Sequence, residues 1–416
     1  MENAAAFRYD RAYGFIKMTE KVMFQLNQIA LRARSLVVFR RLLDDAVVRA
    51  FLNLLTAENA PEEKVDRYAS FAHLLFQSGE NFTAYVWRLV VSDENTYVRL
   101  RARKAAVSET IEGCVRRELA VLRALSTLSA RDVKAGMPQE IDLPEWTTDE
   151  LFDFEAAYAD QMDRLATAGF GIYSNARMFT YHAGAIVPVM IPDPIRLSQL
   201  TGYERERGRL VQNTLAFWEE KPVANALLYG DAGTGKSSTV KAIVNEYWMR
   251  GLRLVEVRKA DLLEIPRIIE RLVDNPLKFI LFIDDLSFAQ GNEEIGALKA
   301  ILEGSVAARG ANVAIYATSN RRHLVKETFS DRSGDDVHLN ETMQEVASLS
   351  ERFGLAILFS KPNKDKYIEI VHALADAHGL GGVENIELLA EQYALERGGR
   401  SGRTARQFVE HIARMM

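Results

Sequence analysis

Cysteine is almost missing from this chain: Cys114 stands alone among 416 residues, so no internal disulfide can form. That usage fits a reducing compartment, and the cytoplasm is the expected location. Prolines number only ten, and no apolar run reaches the ~20 residues needed to cross a bilayer. The most apolar stretch, Lys278 to Asp284, is far shorter, so no membrane association is expected. The start, Met1-Glu2-Asn3-Ala4-Ala5-Ala6-Phe7-Arg8, lacks a basic segment followed by an apolar one, and no secretion signal is expected. Neither sign of charge prevails. With 52 basic and 57 acidic residues and a net charge of -5, the chain lacks the overall basicity of a dedicated nucleic-acid binder. The seven histidines show no metal-ligand spacing, so no zinc is expected. No serine-histidine-carboxylate set can be argued from spacing. What remains is a globular composition, 48% hydrophobic and 26% charged, long enough for two or three domains.

Two periodicities divide the chain. From about Tyr13 to Leu128 apolar residues recur at helical steps, as in Phe15, Met18, Val22, Leu26 and Ile29. A further helical stretch runs from Thr148 to about Ala168, and residues 1–168 are therefore expected to form a helical domain. Gly169, Gly171, Gly184, Pro188, Pro192 and Pro194 then crowd together, and residues 169–196 read as a connector. Beyond it five short branched-apolar runs alternate with helical patterns: Asn225 to Tyr229, Arg253 to Arg258, Lys278 to Ile283, Val313 to Thr318 and Leu355 to Phe359. Such alternation predicts a five-stranded parallel sheet covered on both faces over residues 197–362. Residues 363–416 are purely helical in pattern and read as a small lid.

The strongest signal is Gly230-Asp231-Ala232-Gly233-Thr234-Gly235-Lys236-Ser237, which matches G-x-x-x-x-G-K-[ST] between a predicted strand and a helix opening at Ser238. Glycines let the backbone curl so that successive N–H groups and the helix start face phosphates. Lys236 is then expected to reach the β- and γ-phosphates, and the Ser237 hydroxyl to ligate Mg²⁺. The run Phe279-Ile280-Leu281-Phe282-Ile283 ends in Asp284 and Asp285. Asp284 is expected to hold Mg²⁺, and Asp285 to activate or orient the attacking water. Asn363-Lys364-Asp365-Lys366 fails as a guanine-reading element, because Lys366 stands where an aspartate is required. The base expected is adenine, read around Leu200 to Tyr203.

With these features in place, the second half resembles an AAA+ ATPase, and within that class the initiator and helicase-loader branch. Gly202-Tyr203-Glu204, Gly233-Thr234-Gly235-Lys236-Ser237-Ser238, Ala317-Thr318-Ser319-Asn320-Arg321-Arg322-His323-Leu324, Ser350-Glu351-Arg352-Phe353-Gly354-Leu355 and Gly402-Arg403-Thr404-Ala405-Arg406-Gln407-Phe408 are similar to the bacterial family catalogued as domain of unknown function eight hundred and fifteen. The resemblance implies ATP and Mg²⁺ as ligands, and a homo-oligomer with shared active sites. It makes Asn320 the polar sensor beside the γ-phosphate and Arg352 an arginine finger for the neighbouring subunit. Arg403, or Arg406 one turn later, becomes the lid sensor. The run from Arg321 to Ser350, with Asp331-Arg332-Ser333-Gly334-Asp335-Asp336, is long and charged for its position and reads as a surface loop, the alternative being a partner-facing insertion near the ring pore. No helix-turn-helix follows the lid, so DNA reading by such an element is not expected.

Three functions stay open at this point. One is an ATP-hydrolysing machine that remodels or loads a protein client through the helical amino-terminal half. Another is a DNA-associated loader, supported by the branch resemblance and by a basic surface at Arg99, Arg101, Arg103, Lys104, Arg116 and Arg117. The last is a slow nucleotide-dependent scaffold, suggested by Asp285 in place of a glutamate.

Overall fold

The computed structural model describes the chain apart from residues 1–22, 58–59, 135–136, 138–140, 220, 287–292, 304–310, 321–350 and 416. Phe15, Met18 and Val22 of the first apolar stripe, and the charged run from Arg321 to Ser350, lie outside the described residues. The chain divides into two compact units, residues 1–165 and 166–416. Among the described residues no helix is long and apolar enough to cross a membrane.

The first unit is helical, with its main helices at residues 23–34, Ala46–Leu55, Pro61–Phe76, Phe82–Ser92, Thr96–Ala102, Glu109–Ser126 and Phe154–Asp163. Side-chain caps set the starts. Asp45 accepts the N–H groups of Val47 and Val48, Asn81 that of Ala84, Asn95 that of Val98, and Asp153 those of Glu155 and Ala156. Apolar residues of helices Ala46–Leu55, Pro61–Phe76 and Phe82–Ser92 turn inward, and Phe51, Phe71, Phe82 and Trp146 form an aromatic centre with ring centroids 4.6 to 5.9 Å apart. Glu118, 2% exposed, accepts the backbone N–H groups of Val37, Val38 and Phe39 at 2.9, 3.0 and 3.0 Å. These are the donors that would otherwise be stranded ahead of the turn Arg40–Asp44. The basic surface is partly neutralised within this unit: Arg99 pairs with Glu94 and Arg101 with Asp163, both at 3.3 Å.

The second unit is built on a seven-stranded sheet: β1 (Met178–His182), β2 (Ala185–Pro188), β3 (Ala226–Gly230), β4 (Leu252–Glu256), β5 (Lys278–Ile283), β6 (Val313–Ser319) and β7 (Leu355–Phe359). Their order is β2-β1-β4-β5-β6-β3-β7. The five predicted strands are all present and mutually parallel. The segment expected to be a connector instead supplies β1, parallel to β4, and β2, antiparallel to β1. Its glycines serve tight turns: Gly184 at φ 80° closes the β1–β2 hairpin. Buried Arg253 binds this segment down, donating to the Tyr173 and Trp248 carbonyls at 2.9 Å each.

Alternation along β5 explains the two-layer cover. Phe279, Leu281 and Ile283 join Ile265, Ile268 and Leu272 on one face, while Ile280 and Phe282 join Val240, Ile243 and Val244 on the other. The lid comprises helices Lys364–Ala377, Ile386–Glu396 and Gly402–Met415 around Tyr367, Val371, Ala390 and Phe408. Asn363 is a helix cap, its side chain accepting the Lys366 N–H at 2.9 Å.

Candidate nucleotide site

The carboxyl ends of β3, β5 and β6 meet at one edge of the sheet, as parallel order requires. β3 runs into the loop from Gly230 to Gly235, and the helix Lys236–Tyr247 leads out. Gly230 has a φ of 125°, and a β-carbon there would lie 2.3 Å from the Phe359 carbonyl oxygen, so glycine is required at the exit. The next amide, of Asp231, donates to that same oxygen at 3.1 Å. Gly233 and Gly235 also take left-handed φ values, 76° and 89°, which curl the loop over the helix start.

Lys236 is 5% exposed. Its ammonium donates to the carbonyls of Gly230 at 3.0 Å and Asp231 at 2.6 Å. Burial holds the amine down to about 8, against the pull of Asp231, Asp284 and Asp285 in the other direction. Facing it, one Asp284 oxygen accepts the Ser237 hydroxyl at 2.6 Å and the Thr318 hydroxyl at 2.5 Å. The neighbouring Asp285 sits at a φ of 52°, a left-handed conformation costly for a residue with a side chain. Its N–H donates to Thr318 Oγ1 at 2.9 Å, which holds the turn, and its carboxylate accepts the Asn320 amide at 2.8 Å. Lys259 Nζ lies 3.9 Å from the other Asp285 oxygen.

A cavity of about 420 Å³ connects these groups, within the range typical of small-molecule sites. Ala232, Gly233, Thr234, Gly235, Lys236, Ser237, Ser238, Asp284, Asp285 and Asn320 line one end. Leu200, Thr201, Tyr203, Ile370 and Leu374 line it with apolar surface, and Arg403 and Arg406 reach it from the lid. The donor set fits a polyphosphate with a hard divalent cation. A buried ammonium and backbone N–H groups suit phosphate oxygens, and a serine hydroxyl beside a carboxylate offers the oxygen ligands that Mg²⁺ takes.

Tyr203, which lines the cavity, also has a structural task. It caps helix Glu204–Leu215 at a φ of 61°, its ring is 5.4 Å from that of Phe359, and its hydroxyl donates to the Ser360 carbonyl at 2.7 Å. Lys366 of the lid lies 4.4 Å from the ring centroid. Arg352 is not brought to the cavity. It precedes β7 at the end opposite the P-loop, since Leu355 pairs with Ala226 and Phe359 with Gly230. The five residues of that strand span about 16 Å. Thr318 and Lys259 carry no local sequence signal for their place beside Asp284 and Asp285. Thr318 follows Ala317, whose strand partner is Ile283, so it faces Asp284 once the β5–β6 neighbourhood is known.

Residues 174–416 match the family described as "Protein of unknown function (DUF815)". A curated relative is the replication factor C large subunit of Staphylothermus marinus, 31% identical over 117 residues, which are 26% of this chain and 27% of that protein. Among solved structures, the Thermotoga maritima RuvB Holliday junction branch migration motor aligns at 19% identity and a TM-score of 0.36, covering 53% of this chain and 65% of that one. A single-residue variant of the same motor aligns at 18% identity and a TM-score of 0.35, covering 55% and 66%. The chain thus spans about a quarter of the curated relative and just under two thirds of the RuvB chains.

Proposed function

The chain belongs to the family described as protein of unknown function (DUF815), and we propose that it is an AAA+ protein that hydrolyses ATP and passes its nucleotide state to a protein client through the helical amino-terminal unit. One observation carries the hydrolytic reading: Asp285 is pinned by its own N–H to Thr318 while its carboxylate, exposed to the cavity, is oriented by the Asn320 amide at 2.8 Å. A fixed carboxylate across from a buried ammonium is the arrangement that water activation beside a phosphate requires. In the proposed reaction, water attacks the γ-phosphorus, its proton passes to Asp285, and the bond to the ADP oxygen breaks. Lys236 exchanges the Gly230 and Asp231 carbonyls for phosphate oxygens and balances their charge. Ser237 and Asp284 would hold Mg²⁺, which when bound neutralises charge on the phosphates. Leu200, Tyr203, Ile370 and Leu374 support an adenine read by shape and apolar contact.

The position of Arg352 far along β7 from its own P-loop supports a site completed by a neighbouring subunit in a homo-oligomer. For the client, the first described helix exposes Phe24 and Leu31, seven residues apart on one face, at 64% and 62%. The test is phosphate release. Asp285→Asn and Arg352→Ala should each bind ATP yet hydrolyse it at least a hundredfold more slowly, and mixing them should restore turnover. No phosphate release by the unaltered chain would remove the hydrolytic assignment, wild-type turnover in Asp285→Asn would remove the role of Asp285, and no recovery in verified mixed assemblies would remove the shared site.

A further inference from the structure

Lid and P-loop touch through their backbones. The N–H of Arg403, in the first turn of the last lid helix, donates to the Gly233 carbonyl at 3.0 Å. First-turn amides have no partner within their own helix. Here the Thr404 amide goes to the capping Ser401 hydroxyl at 3.0 Å, and the Arg403 amide goes to the P-loop. The approach is close. A β-carbon on Gly233 would lie 3.0 Å from Ser401 Oγ and 3.1 Å from Arg403 Cβ, and one on Gly402 would lie 3.3 Å from the Gly233 oxygen.

A trans peptide is planar, with its C=O and N–H pointing in opposite directions. Holding the Gly233 carbonyl against the lid therefore turns the Thr234 N–H the other way. Thr234 lines the cavity, and its hydroxyl is tied back to the Asp231 carbonyl at 2.9 Å. Were this peptide to flip, a carbonyl oxygen would replace an N–H donor and repel an incoming phosphate. We infer that the main-chain amide of Arg403 is a positioning group for polyphosphate binding: it fixes the Gly233–Thr234 peptide so that the loop presents donors, and it does so only while the last lid helix is docked. The inference rests on the reading of this cavity as a nucleoside triphosphate site. It separates two contributions of one residue, the guanidinium that lines the cavity and the amide that sets the loop.

Proline is tolerated in the first turn of a helix and removes the N–H, and the preceding Gly402 relaxes the restriction on the residue before it. Arg403→Ala and Arg403→Pro both lose the guanidinium, but only the second loses the amide. Equilibrium binding of ATP and of a non-hydrolysable analogue should be measured for both and for the unaltered chain, alongside helix content and thermal melting. Arg403→Pro should bind about tenfold more weakly than Arg403→Ala, with melting nearly unchanged. Equal affinities of the two variants would overturn the inference and leave the nucleotide reading standing; no binding by the unaltered chain would overturn that reading as well. If Arg403→Pro fails to fold, amide exchange in the unaltered protein decides. The Arg403 amide should be protected with the analogue bound, and exchange at the rate of an unpartnered first-turn amide would refute the role.

Discussion

Replacing Thr318 with valine keeps the branched shape and removes one hydroxyl, and that hydroxyl has two tasks. It donates to Asp284 at 2.5 Å, a charge-assisted bond of about 1.5–3 kcal/mol, and accepts the Asp285 N–H at 2.9 Å, worth about 1 kcal/mol. Asp284 keeps the Ser237 hydroxyl at 2.6 Å, so its loss is partial. Asp285 loses its better anchor, because its other contact, to Asp284 Oδ1, is the longer one at 3.1 Å. Held at a φ of 52° against about 1 kcal/mol or more of left-handed strain, the turn should relax and draw the carboxylate off Asn320. A displacement of about 1 Å in a reacting group costs up to about a hundredfold in rate. Thr318→Val should therefore hydrolyse ATP about 30- to 100-fold more slowly, near 2–3 kcal/mol of barrier, and bind it within about threefold of the unaltered chain. Phosphate release measured with analogue binding makes the test, and Thr318→Ser should recover most of the rate. Turnover within twofold in Thr318→Val, or a matching loss of affinity, would refute the reasoning.

Lys236→Met should abolish tight ATP binding without lowering the melting temperature at pH 7, because a buried amine costs stability in the nucleotide-free protein; a lower melting temperature would argue against this. Since burial holds that amine near 8 while it titrates higher when unfolded, the unfolded chain binds more protons between those values. Stability of the unaltered chain relative to Lys236→Met should therefore rise between about pH 8 and 10, as paired melting curves would show. Gly230→Ala should cost about 3 kcal/mol or more in stability, from the 2.3 Å collision with a backbone oxygen and the φ of 125°, and chemical denaturation would read it. Glu118→Ala strands three backbone donors and should destabilise the helical unit by about 3 kcal/mol or more while leaving ATP affinity intact. Loss of affinity in step with helix content would count against the independence of that site.

How far the sequence could be read depended on the range of each signal. Strands β3 to β6 were legible because each is a short branched-apolar run buried on both faces, β7 because its apolar run is short and bounded although Leu358 faces outward at this edge, and the P-loop because its spacing is local. β1 and β2 were hidden by the glycines and prolines around them, which mark hairpin turns and strand edges as readily as a connector. Asp284 and Asp285 could be named from the end of one strand, but Thr318 becomes visible only when β5 and β6 are known to be neighbours. Tyr203 was legible as a residue of the cavity and not as a clamp, since its hydroxyl partner lies 157 residues away at Ser360. The Arg403 amide left no trace in the sequence, because any residue but proline supplies that N–H.

The end of β7 explains why such distant contacts gather at one site. Phe359 gives its carbonyl to the Asp231 amide at 3.1 Å, Ser360 takes the Tyr203 hydroxyl at 2.7 Å, and the Lys361 amide donates to the Asp231 carboxylate at 2.5 Å. Lys361 also reaches the lid, its ammonium lying 3.4 Å from the Gly398 carbonyl. Three consecutive residues thus bind the P-loop, the segment ahead of helix Glu204–Leu215, and the lid, just before the lid's first helix begins at Lys364. The lid's last helix closes the circuit through Arg403 and Gly233. A lid rotating about residues 360–363 would pull on Asp231 at one end of the phosphate loop and on Gly233 near its middle. The first contact acts through the Asp231 side chain and the second directly through a peptide of that loop, so the lid's position and the loop's readiness for phosphate are coupled, and a ligand that favours one favours the other.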